Sequence, residues 1–103
     1  MKYQLILQFP GQSLSEYDAI VALEELLAKE LGGDADVDGH DVGGDKINLF
    51  IWTTDPAATF EQATPVLERL EQFDWVTAAY REANGDRYTV IWPEDWKKEF
   101  KVS

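Results

Sequence analysis

The order in which the hydrophobic periodicity changes along the chain constrains its fold more than any other feature. Apolar and polar residues alternate over residues 2–9, 46–53, 75–82 and 87–92, as in strands with one buried face. Between them, apolar residues recur every three or four positions over residues 15–31 and again after Asp55-Pro56, as in amphipathic helices. Gly43-Gly44 and Asn84-Gly85 predict hairpin turns, the second of type I′, and residues 35–42 supply the remaining hairpin arm.

The resulting order is strand, helix, strand, strand, helix, strand, strand. This order is that of the split βαβ in a ferredoxin-like βαββαβ fold, with one hairpin strand added at the C-terminus. Right-handed crossovers place both helices on one face of the antiparallel sheet. We therefore predict one α+β domain over residues 1–103, with the sheet order 5-4-1-3-2.

Two helix details follow from local signals. Ser15 is a suitable N-cap for the first helix, with Glu16 and Asp18 placed to interact with its dipole. Pro65 interrupts the second helical stretch, so that this helix is expected either to kink there or to restart with Thr64 as a new cap. Residues 94–100 are expected to form a short final helix or a docked tail.

The alternation also predicts which residues project away from the helices. If Leu5, Leu7 and Leu49 lie under the helices, the other sheet face, here called the open face, carries Gln4, Ile6, Gln8, Asn48, Phe50 and Trp52. Ile6, Phe50 and Trp52 would form an apolar patch, which needs a cover. The cover is the C-terminal segment with Trp96 and Phe100, a second subunit in a homodimer, or a small ligand.

Residues 34–45 hold five aspartates, three glycines and the only histidine of the chain. Asp34, Asp36, Asp38 and Asp45, with Gly39 between the last two, follow the D-x-D-x-D-G-x5-acid spacing of a calcium loop. Asp45 is too short for the usual bidentate glutamate, and a strand pattern replaces the exiting helix. The alternative is a solvated edge strand whose carboxylates block pairing with another sheet.

Charge and composition exclude several function classes. The net charge is −11, with 20 acidic residues against 9 basic ones, so the basic footprint of a nucleic-acid binder is missing and anionic membranes are disfavoured. The absence of cysteine excludes disulfides, thiolate metal sites and cysteine nucleophiles. Residues 1–10 lack the apolar run of a signal peptide or membrane span, and we expect a soluble, cytoplasmic protein without a cofactor other than the possible calcium.

His40 is the one candidate for acid–base catalysis. Asp38 or Asp41 could orient it as a general base, yet the sequence brings no nucleophile or second catalytic group to it. Alternatively, His40 and Asn48 could tie the two hairpin strands together. The chain is accordingly expected not to be an enzyme.

Three short motifs carry a resemblance to a known family. Asp38-Gly39-His40-Asp41-Val42-Gly43, then Asn48-Leu49-Phe50-Ile51, then Thr54-Asp55-Pro56, resemble a small bacterial family of uncharacterised single-domain proteins. The resemblance implies a ferredoxin-like fold and no particular activity. Small acidic proteins of this style also resemble immunity proteins encoded beside bacterial toxins.

Two function hypotheses remain open. In the first, the chain is a non-enzymatic binding module whose acidic hairpin engages a basic protein partner, with charge steering their encounter. Its candidate binding residues are Asp36, Asp38, His40, Asp41, Asn48, Phe50 and Trp52. In the second, the chain binds a small ligand or acts as an enzyme through Phe50 and Trp52, with His40 near the rim of that face.

Overall fold

The structure is a computed structural model that describes residues 2–14 and 17–102. Within these residues the main elements are β1 (Tyr3–Pro10), α1 (Tyr17–Glu30), β2 (Ala35–Gly43), β3 (Lys46–Thr53), α2 (Pro56–Arg69), β4 (Thr77–Glu82) and β5 (Thr89–Trp92). Short 3-10 turns lie at Gly11–Leu14 and Phe73–Trp75. The predicted α+β class and element order are confirmed, whereas the proposed cap at Ser15 and Glu16 lies outside the described residues.

The five strands of this part of the chain form one antiparallel sheet in the order β2-β3-β1-β4-β5. This is the predicted order read from the opposite edge, and it gives a ferredoxin-like fold with one added strand. β1 lies at the centre between β3 and β4, and every residue from 4 to 9 is buried. A strand buried along its whole length requires that both of its faces be covered.

One face is covered by the two helices of the described chain. The core between them and the sheet takes Leu5, Leu7 and Leu49 from the strands, as the alternation predicts. The helices add a stripe of apolar residues that consists of Ile20, Leu23 and Leu27 on α1 and Phe60, Ala63 and Leu67 on α2. Burial of these side chains removes apolar surface from water, which is the main favourable term in folding.

α2 is a single helix that contains Pro65. Asp55 caps its N-terminus, because its carboxylate accepts a hydrogen bond of 3.1 Å from the backbone N–H of Ala58. Thr64 does not restart the helix as a cap: its hydroxyl donates to the backbone carbonyl of Phe60 at 3.0 Å. The alternative of two helices divided at Pro65 is thereby settled in favour of one.

The predicted type I′ turn at Asn84-Gly85 is wrong. Such a turn needs positive φ at both central residues. Neither Asn84 nor Gly85 is among the residues of the described chain that have positive φ. β5 begins at Thr89 rather than at residue 87, which leaves a six-residue connection. Arg81 organises this connection, since its Nη1 donates to the carbonyls of Glu82, Ala83 and Gly85 at 2.9–3.2 Å.

The structure also decides the conformation of residues 94–102 and the first residue of β4. The chain after β5 forms no helix among residues 94–102, so the docked-tail alternative is the one observed. β4 starts at Thr77 rather than at residue 75, because the preceding residues close a 3-10 turn. Neither helix in the described ranges is long and apolar enough to cross a membrane.

Candidate functional site

The C-terminal segment covers part of the open face. Residues 97–102, here called the tail, place Phe100 in a second apolar cluster with Ile6 and Ala79. Phe100 is only 7% exposed, and its ring lies 5.3 Å from that of Tyr88. Of the three predicted covers, the C-terminal segment is therefore the one observed, although Trp96 is not a member of this cluster.

Two buried amides fix the path of the tail. Gln8 and Asn48 lie opposite each other on β1 and β3, and Gln8 Nε2 donates to Asn48 Oδ1 at 2.9 Å. Gln8 Nε2 also donates to the backbone carbonyl of Lys101 at 2.6 Å, and Asn48 Nδ2 donates to that of Val102. Because these bonds reach backbone atoms, they hold the tail without depending on its side chains.

Trp52 lies on a part of the open face that the tail leaves uncovered. Its indole Nε1 donates to Asp38 Oδ2 at 3.0 Å. The guanidinium of Arg81 lies 6.0 Å from the centre of the indole ring, a cation–π distance, and Arg81 Nε donates to Gln4 Oε1 at 3.0 Å. The indole is thus oriented by a carboxylate on one side and a guanidinium on another.

Five exposed aspartates line the edge of the sheet that β2 forms. They lie within β2, the edge strand next to β3, or near its two ends. They are here called the acidic edge: Asp34, Asp36, Asp38, Asp41 and Asp45. The pairing register puts Asp36 opposite Trp52 and Asp41 opposite Asn48. Directly opposed residues of paired strands project from the same face, so these two aspartates lie on the open face.

A β-bulge lets Asp38 reach the indole. The register of β2 against β3 shifts between Val37 and Gly39, which leaves Asp38 as the extra residue. Gly39 has φ +111°, a conformation that L side chains rarely adopt. The glycine is therefore a condition for the bulge that joins the acidic edge to Trp52.

The negative charge of the chain is concentrated in the part that forms α1 and β2. Ten acidic residues and one basic residue, Lys29, lie within residues 16–45 and give this segment a net charge of −9. The rest of the chain, with ten acidic and eight basic residues, contributes only −2. Since α1 packs beside β2, one end of the molecule carries most of the field that a charged partner would meet.

His40 lies on the other side of the sheet from Trp52. It is paired with Leu49, whose side chain belongs to the core under the helices, and its Nδ1 lies 3.0 Å from Glu24 Oε1 on α1. The expectation that Asp38 or Asp41 orients His40 is therefore wrong, as is the one that places His40 at the rim of the Phe50–Trp52 face. His40 and Asn48 do not tie the hairpin together either, because they face opposite sides.

The calcium-loop spacing falls on an extended strand. Asp34 precedes β2 and Asp45 follows it, so that the nine residues of the strand, a length of about 30 Å, separate them. Asp36 and Asp38 lie between these ends. Among the described residues there is no group of three or more histidine, aspartate or glutamate side chains placed to hold a metal ion.

Several contacts at and around the candidate site were not predicted from the sequence. Glu24 and Arg81 are partners that only the folded chain brings to His40 and Trp52. Gln8 carried a signal: a polar residue at an otherwise apolar central strand, on the same face as Asn48, indicates a buried polar pair.

Comparison with known proteins finds no relative of this chain. No protein-family model, no curated protein and no solved structure matches it.

Proposed function

We propose that this chain is a non-enzymatic binding module that docks a basic protein through its acidic edge, with Trp52 as the aromatic anchor of the contact. The observation that carries the proposal is the segregation of charge, a net −9 within residues 16–45, the segment that contains α1 and β2. Complementary fields of this kind accelerate encounter and disfavour partners of like charge.

Beside the acidic edge lie ordered side chains suited to anchoring a contact, which charge alone does not provide. Interfaces are anchored by a few aromatic and arginine residues surrounded by polar groups. Trp52 and Arg81 are half-buried and held by hydrogen bonds to Asp38 and Gln4, so that their side chains are already ordered before a partner arrives. Side chains that are already ordered lose less conformational entropy on binding, which lowers the entropic cost of association.

Charge removal at constant shape tests the proposal. In the variant Asp36→Asn, Asp38→Asn, Asp41→Asn, the amide oxygen of residue 38 can still accept from Trp52, so the surface loses charge and keeps its form. The matched control is Glu61→Gln, Glu68→Gln, Glu94→Gln, which removes three exposed carboxylates elsewhere.

The measurement is capture of partners by the tagged full chain, from lysate of its own source at low salt, with identification by mass spectrometry. We expect one stoichiometric basic protein that added salt releases, that the control variant retains and that the Asp36/Asp38/Asp41 variant loses. Equal retention of that protein by both variants would contradict a role for the acidic edge.

A further inference from the structure

We propose that the groove under the tail is a peptide-binding groove for an extended, lysine-containing segment of the basic partner, and that the tail occupies it as an internal substitute. The groove has an apolar floor of Ile6, Phe50 and Ala79 and the amides of Gln8 and Asn48 at one end. This inference rests on the proposed function and names the part of the partner that it recognises.

The floor selects an aromatic side chain. Phe100 forms a buried cluster with Ile6 and Ala79, and Phe50, Tyr88, Val90 and Val102 pack against this cluster. This cluster is separate from the core under the helices. A partner segment with an aromatic residue and an aliphatic residue two positions later would make the same contacts.

The amide pair selects an extended backbone. Gln8 and Asn48 donate to the carbonyls of two successive residues, Lys101 and Val102. Recognition through main-chain atoms, with pockets for alternate side chains, is the usual way in which proteins bind extended peptides. The groove is therefore expected to bind backbone carbonyls at one end and an aromatic side chain in the middle.

Charge favours a basic segment in this groove. The tail contains Lys97, Lys98 and Lys101 against one acidic residue, Glu99, so that three of the nine basic residues of the chain lie within five positions. All four of these side chains are exposed. Asp41 of the acidic edge is paired in register with Asn48, which itself binds the tail. A basic segment in the groove consequently continues into the acidic edge.

The tail is attached in a way that permits exchange. Residues 97–102 belong to no helix or strand, and within them Phe100 is the buried side chain. Segments with few buried apolar contacts and no backbone ladder open locally at a small fraction of the free energy of global unfolding. A partner segment could therefore displace the tail while the sheet and helices stay folded.

The test uses the full chain and a fluorescein-labelled peptide with the sequence of residues 96–102, Trp-Lys-Lys-Glu-Phe-Lys-Val, amidated at its C-terminus. Phe100→Ala weakens occupation of the groove by the tail. We expect fluorescence anisotropy to show that this variant binds the peptide roughly ten-fold or more tightly than the unaltered chain, since a competing tail lowers apparent affinity by the fraction of open groove.

Three controls assign the binding to the groove. A scrambled peptide of the same composition and a peptide with alanine in place of phenylalanine should both lose binding, whereas charge attraction alone would leave the scrambled peptide unaffected. Adding Asn48→Ala to the Phe100→Ala chain should also weaken binding. Should Phe100→Ala fail to fold by circular dichroism, Val102→Ala serves as the milder opening variant.

The proposal is overturned if the folded Phe100→Ala and Val102→Ala variants bind the peptide no more tightly than the unaltered chain. It is also overturned if the unaltered chain dimerises and Phe100→Ala abolishes the dimer, which would assign the groove to a second copy. These outcomes are distinct from failure of the acidic edge, which appears as partner retention by the Asp36/Asp38/Asp41 variant.

Discussion

The side-chain amide of Gln8 donates to that of Asn48 across two central strands, with 2.9 Å between Nε2 and Oδ1. Both side chains are nine-tenths or more buried, and the amide nitrogen of each also donates to a backbone carbonyl of the tail. Buried polar groups need such partners, because an unpaired amide in the interior costs free energy. The pair therefore links the centre of the sheet to the C-terminus.

Asn48→Ala should lower the free energy of unfolding by about 1–3 kcal/mol, because it leaves a buried donor of Gln8 and the carbonyl of Val102 short of partners. Urea unfolding followed by tryptophan fluorescence measures the change. Asn84→Ala, at an exposed loop position, is the control and should have almost no effect. Equal effects of the two substitutions would show that the buried pair contributes nothing specific.

Three glycines should respond to alanine in a definite order. Gly39→Ala is expected to be the most destabilising, since φ +111° lies outside the region that L residues tolerate. Gly44→Ala, at φ +59°, should cost about 1–2 kcal/mol, the penalty of the left-handed region.

Gly33→Ala completes the series as the matched control. Its φ lies outside the left-handed range, and no heavy atom beyond its two chain neighbours lies within 4 Å of the added methyl group, so the substitution should be neutral or stabilising by up to about 1 kcal/mol. Thermal unfolding of the three variants gives the order directly. A Gly33→Ala chain less stable than the Gly39→Ala chain would contradict the assignment of the bulge.

Asp55→Ala should destabilise the chain by about 1 kcal/mol, because it removes the carboxylate that accepts from the N–H of Ala58 in the first turn of α2. Asp55→Asn should recover most of the loss, since its amide oxygen can take the same bond. Chemical unfolding measures both. Asp86→Ala, exposed in the loop after β4, is the control, and an equal loss there would argue against a capping role.

Glu24→Ala should cost about 1 kcal/mol through loss of its contact to His40, which joins α1 to the edge strand. The side chains of both residues are 19% exposed, so the contact is partly sheltered from water. Glu25→Ala, next in the chain and exposed, should have little effect. Hydrogen exchange should additionally show faster opening of β2 in the Glu24 variant alone, and protection unchanged in β2 would refute the link.

The sequence carried the local information for the helices and strands. The alternation around Leu5 and Leu49 separated the two faces of the sheet, and Asp55-Pro56 marked the start of α2. These predictions succeeded because periodicity and capping depend on neighbours close in the chain. The type I′ turn failed because Arg81 holds the carbonyls of that loop in a different arrangement.

The candidate site likewise has one part that the sequence predicts and another that depends on the tertiary structure. By itself, the sequence determined that an acidic segment flanks the open face, since charge and alternation are local properties. Only the tertiary structure decided that His40 meets Glu24 rather than Asp38, that Trp52 meets Arg81, and that the tail covers Ile6. Each of these contacts joins residues distant in sequence, and their approach depends on strand register, on one bulge and on the path of the tail, which packing of the whole chain sets.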